Sequence, residues 1–274
     1  MKNFIQRVAF GIIYLVIIIG SLFLGKFAFG IIFLLINLIA LYEFYALTRA
    51  SGASPQIIPS LITGGVAFIL AFLVSANLAD PRMLLLIIPF IILIFILALF
   101  SDKPDVIKNT AISFLGIIYI SIPLSVINFL AFPSGNANAY THRIILGILT
   151  LVWINDSGAY LVGISIGRHR LYERISPKKS WEGAIGGAVV TVICALWLHL
   201  IMGALERTDW LFLALIVSVF GVFGDLTESL FKRSVGQKDS GKIIPGHGGL
   251  LDRIDSILFV MPLAAVYFIL SNLN

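Results

Sequence analysis

The chain has 274 residues, of which 59% are hydrophobic and 12% charged, with a formal net charge of +5 and a mean hydropathy of +1.03. That balance excludes a soluble globule, and nothing in it points to nucleic acid; the positive excess suits loops that face anionic lipid. The single cysteine, Cys194, excludes an intramolecular disulfide and reads as a small buried hydrophobe.

Nine apolar runs approach or exceed the roughly 20 residues that a helix needs to cross a bilayer. In chain order they are Val8–Leu24, Phe27–Leu47, Ile57–Leu78, Met83–Phe100, Val106–Phe132, Ile144–Ile166, Gly183–Leu205, Trp210–Phe231 and Ile254–Leu270. The alternation of a membrane barrel is absent, so the expected fold is all-α and polytopic, with about nine transmembrane helices. Lys2 and Arg7 precede the first run as they would in a signal sequence. Gly25-Lys26 nevertheless leads straight into the second run, which predicts a retained helix in a tight hairpin. With the N-terminus inside and the C-terminus outside, 15 of the 19 Lys and Arg fall on the cytoplasmic side and only Lys26, Arg82, Arg143 and Arg207 outside. The loops 167–182 and 231–253 carry most of that bias.

Residues 1–140 read as a scaffold bundle, a candidate lipid-facing or oligomer region, kinked at Pro89 and Pro123. Its one intramembrane acid, Glu43, is expected to pair with Arg49 or to face headgroups. Residues 141–274 read as the catalytic region, because there the spans acquire polar interiors and long charged connections.

The first constellation is Trp153 to Arg168. Asp156, Tyr160, Gly163 and Gly167 recur every three or four residues and share one helix face. The small residues allow close packing, and a carboxylate at that depth must be paired, protonated or bound to a cation. The second is Ile175 to Gly183, with Ser176, Pro177 and the adjacent cations Lys178 and Lys179. Ser180 is placed to cap a helix, with Glu182 in its first turn, and Trp181 is placed to anchor at the interface. Backbone amides at a helix start beside two lysines make a good anion site.

The third runs from Gly224 to Asp255, where five acidic and five basic residues lie between apolar runs. Asp225, Ser229 and Lys232 form one stripe at the end of the eighth span, and Glu228 with Lys232 can pair at i, i+4. Asp252 and Asp255 share a face at the start of the ninth span, which predicts that Asp225 meets both at one depth. Three carboxylates without a thiol suit hard cations with oxygen ligands, above all Mg2+. Between them, the Pro245–Gly249 turn can approach phosphate closely, with His247 at its centre. Lys232, Arg233, Lys238, Lys242 and Arg253 supply countercharge for a polyphosphate.

These residues resemble the phosphatidate cytidylyltransferases, also called CDP-diacylglycerol synthases. Ser229-Leu230-Phe231-Lys232-Arg233, Lys238-Asp239, Gly241, Pro245, His247-Gly248-Gly249 and Asp252-Arg253-Ile254-Asp255 fill every fixed place of the family signature. The Asp156 and Ser176–Gly183 segments look like its upstream motifs, with Ser180 where threonine is frequent. The resemblance implies transfer of a cytidylyl group from CTP to phosphatidic acid, with pyrophosphate released and one or two Mg2+ ions held by Asp225, Asp252 and Asp255. It further implies that Lys232 and Arg253 act at the phosphates. Asp156, Ser176, Lys178, Lys179, Ser180, Ser229, Arg233, Lys238, Asp239, His247, Gly248 and Gly249 are then expected to contact substrate. The implied setting is a prokaryotic cytoplasmic membrane with the site facing the cytoplasm. An isoprenoid lipid acceptor would use much the same site, and an ion-coupled transporter would use Asp156 and Asp225 as ion sites. The pattern of the CDP-alcohol phosphotransferases is missing.

Overall fold

The structure, a computed structural model, describes residues 2–133, 140–241, 243 and 248–271. Among them, eight helical rods are long and apolar enough to cross a membrane, and Ala9–Phe23 is a shorter apolar helix. The eight rods and this shorter helix follow the nine predicted runs, so the protein is an all-α polytopic membrane protein. Two compact units divide it: Met1–Thr141 with Ser234–Arg253, and His142–Arg233 with Ile254–Asn274.

The first unit contains α1 (Lys2–Phe23), α2 (Lys26–Arg49), α3 (Ile57–Ser75), α4 (Ile87–Leu99), α5 (Val106–Gly116) and α6 (Ile122–Ala131). Gly25, at φ +102°, makes the tight turn between α1 and α2. Phe29, Phe44, Tyr45, Phe68, Ile120 and Leu124 are fully buried. The Tyr45 hydroxyl donates to the Ser113 carbonyl at 2.5 Å, so its polar end is satisfied within the apolar core. Both expected proline breaks are present in altered form. Pro89 sits in the first turn of α4, which follows a 3-10 turn over Pro81–Leu86. Pro123 follows a π turn over Ile117–Ser121 that joins α5 to α6. Proline offers no N–H to the carbonyl four residues earlier, so the ladder widens there instead of continuing.

The second unit contains α7 (Arg143–Ile166), a short antiparallel hairpin of β1 (Arg170–Tyr172) and β2 (Ser176–Ser180), α8 (Trp181–Met202), α9 (Arg207–Ser234) and the body of α10 (Leu251–Ser271). The hairpin is absent from the sequence-based expectation, since strands of three and five residues are too short to carry an apolar alternation that announces them. Helices α7 and α8 pack backbone to backbone. A Cβ at Gly187 would stand 2.7 Å from the Asn155 carbonyl oxygen, and one at Gly183 2.7 Å from that of Ala159. Ser180 caps α8 as predicted, its Oγ accepting from the Gly183 N–H at 3.1 Å.

Candidate active site

In the second unit, four charged side chains come together. Asp156 is carried by α7, Lys179 by β2, Asp225 by α9 and Asp255 by α10. Lys179 Nζ forms an ion pair with Asp225 Oδ2. The other oxygen, Oδ1, accepts from Ser229 Oγ at 3.3 Å, the i, i+4 contact that the stripe predicts. Asp255 Oδ1 accepts from the Ser256 N–H at 2.7 Å. Asp255 feels the repulsion of Asp225 and Asp156 and the attraction of Lys179; Asp156 feels Lys179 and Asp225 in turn. Asp225 and Asp255 meet because α9 and α10 nearly touch at Gly224, where a Cβ would lie 2.5 Å from the Asp255 carbonyl oxygen.

The loop before α8 is closed by a carboxylate. Glu182 Oε1 lies 2.6 Å from His169 Nδ1, and its oxygens accept from the Arg168 and His169 N–H groups at 3.1 and 3.2 Å. Lys178 is exposed, Ser176 is half-buried, and Trp181 is 55% exposed. Lys232 is buried and ion-paired with Glu228, the i, i+4 alternative that the sequence allows, whereas Arg233 is exposed.

In the first unit, the signature loop folds around two carboxylates. Asp252 accepts from the Gly249 N–H at 2.8 Å and from the Ser240 N–H at 3.1 Å, so it ties the two arms of the loop together. Gly248 has φ +87°, and a Cβ there would stand 2.7 Å from Asp252 Oδ2; only glycine fits both demands. Lys238, Asp239 and Arg253 are exposed. His247, Pro245 and Lys242 lie outside the described residues.

Glu43 departs from expectation. It neither pairs with the exposed Arg49 nor faces headgroups: it is 2% exposed, and its Oε2 accepts from the Leu251 N–H at 2.8 Å. The signal was legible in kind, an acid inside an apolar span. Its partner was not, because 208 residues separate the two.

A family model described as the cytidylyltransferase family matches residues 5–271. A phosphatidate cytidylyltransferase of Bacillus subtilis (strain 168) is 32% identical over 280 residues, covering 99% of each chain. Relatives of the same name from Staphylococcus aureus (strain COL) and Staphylococcus epidermidis (strain ATCC 35984) are 48% and 45% identical over 132 and 129 residues. Those stretches cover 47% and 46% of this chain. The chain thus spans about half the length of these staphylococcal relatives, 50% and 49%.

Proposed function

The chain belongs to the cytidylyltransferase family, and from that premise we propose that it joins CTP to phosphatidic acid, giving CDP-diacylglycerol and pyrophosphate. The observation that carries the reading is the Asp156, Lys179, Asp225 and Asp255 cluster, four charges held together on membrane-spanning helices and a short strand. Phosphatidic acid brings its own nucleophile, a phosphate oxygen, so the enzyme needs no strong base. That oxygen attacks the α-phosphorus of CTP as the bond to the β-phosphate breaks, and the leaving pyrophosphate takes the electron pair. The obstacle is repulsion between two polyanions, which charge neutralisation and positioning must overcome.

The donor set fits Mg2+. It offers carboxylate oxygens and no thiol, although among the described residues no three Asp, Glu, His or Cys side chains are grouped closely enough to hold a metal ion by themselves. Mg2+ binds through one or two carboxylates and completes its shell with water and substrate phosphates. Asp225 and Asp255 would hold it in the second unit, Asp252 is by itself a candidate carboxylate ligand in the first, and one or two bound ions would supply positive charge for the phosphates of CTP. Lys178, Arg233, Lys238 and Arg253 are exposed and would supply positive charge to phosphate oxygens. Lys232 is buried and ion-paired with Glu228. Lys179 makes the acidic cluster tolerable in the free protein. Lys179→Met is therefore expected to lower the melting temperature of the metal-free protein and to enlarge the rise that Mg2+ produces. Equal rises in both proteins would show that Lys179 and Mg2+ do not share Asp225.

The basic-residue count supports an N-terminus and a site on the cytoplasmic side of the membrane. The test of the acceptor is pyrophosphate release by purified protein given CTP and Mg2+ with phosphatidic acid or an isoprenoid phosphate lipid. Release with phosphatidic acid is the expected outcome. Release only with the isoprenoid lipid would keep the chemistry and change the acceptor. No release with either lipid would favour the transport reading of Asp156 and Asp225.

A further inference from the structure

We infer that Glu43 is a positioning residue for the signature loop, acting through the start of α10; the inference rests on the cytidylyltransferase reading. A carboxylate buried to 2% exposure inside a membrane span is costly and persists only where something requires it. Its Oε2 accepts from the backbone N–H of Leu251, the first residue of α10. The first N–H groups of a helix lack partners within it, and a negative charge there is favourable. Glu43 therefore caps α10 from a helix 208 residues earlier in the chain.

Both arms of the loop close on that carboxylate. A Cβ at Gly249 would lie 2.7 Å from Glu43 Oε2 and 2.9 Å from the Gly241 nitrogen, and one at Gly241 would lie 2.8 Å from the Glu43 carboxyl carbon. Two signature glycines are thus small because Glu43 fills the space between their arms. The same arms are bridged by Asp252, one residue beyond Leu251, which takes its bonds from Ser240 and Gly249. Glu43 sets where α10 begins, and so where Asp252 stands. The other oxygen, Oε1, has no partner among the described residues.

The experiment compares Glu43→Ala and Glu43→Gln, both purified in detergent, by kinetics and by amide exchange over residues 239–253. Glutamine keeps a side-chain oxygen for the Leu251 N–H. Glu43→Gln is expected to retain at least about a tenth of wild-type kcat. Glu43→Ala is expected to lose about 100-fold, the scale of a displacement of about 1 Å at a site. Half-maximal activity should need more Mg2+ in Glu43→Ala, and its amides should exchange faster over 239–253 alone. Unchanged exchange and turnover in Glu43→Ala would overturn the proposal. So would equal losses in both variants, or global unfolding of both, which would make Glu43 a residue of the whole fold. If the wild type has no cytidylyltransferase activity, the functional reading fails, and the exchange comparison still decides the role of Glu43.

Discussion

Asp225→Asn is expected to reduce cytidylyl transfer by roughly a thousandfold or more while leaving the protein folded, because the loss falls on charge and not on shape. Asparagine is nearly isosteric and keeps an oxygen for the Ser229 hydroxyl, whose bond to Asp225 Oδ1 is 3.3 Å. It removes the negative partner of Lys179. It also removes the repulsion that Asp225 exerts on Asp255. The two changes oppose each other, so the net effect on stability is small, on the order of 1 kcal/mol. The proposed metal site, however, loses one of its anionic oxygens outright. Turnover by quantified, monodisperse protein checks this, with a melting curve in parallel. A variant that keeps more than about a tenth of its activity would show that Asp225 does not carry charge for the reaction.

Gly224→Ala is the second large effect, and it separates two opposed contributions. Replacing glycine by alanine inside a helix ordinarily gains about 0.5–1 kcal/mol. Here the new Cβ would stand 2.5 Å from the Asp255 carbonyl oxygen and 2.9 Å from Ser256 Cα. Both obstacles are backbone, which cannot swing aside as a side-chain tip would. Overpacking of this kind costs about 1–3 kcal/mol, so the clash outweighs the propensity gain. Helices α9 and α10 must separate at the level where Asp225 and Asp255 meet, so activity should fall along with stability. Thermal unfolding in detergent together with turnover checks it. A more stable variant with normal activity would mean that the two helices do not approach this closely.

How much of this was legible beforehand depended on the range of the interaction. Bilayer thickness sets the length of each apolar run, so the rods stood out in the sequence, and even the breaks at Pro89 and Pro123 were marked. Ser180 as a cap and the Asp225–Ser229 contact were readable because both lie within one helical turn. The Lys179–Asp225 pair was not, since it depends on where a five-residue strand lays its side chains beside a distant helix. Nor was the Glu43–Leu251 bond, for which the sequence shows only an acid in the wrong place. Periodicity reports which residues share a face; it does not report what another segment brings to that face.

The most direct test of the central claim follows the phosphorus atoms. Purified protein in lipid–detergent micelles with phosphatidic acid and Mg2+ is given CTP labelled at either the α- or the γ-phosphorus, and the lipid is extracted. The account predicts that the α-label enters the lipid as CDP-diacylglycerol, while the γ-label leaves as pyrophosphate. A γ-label found in the lipid would mark a CTP-dependent kinase, and would contradict attack at the α-phosphorus and with it the proposed reaction.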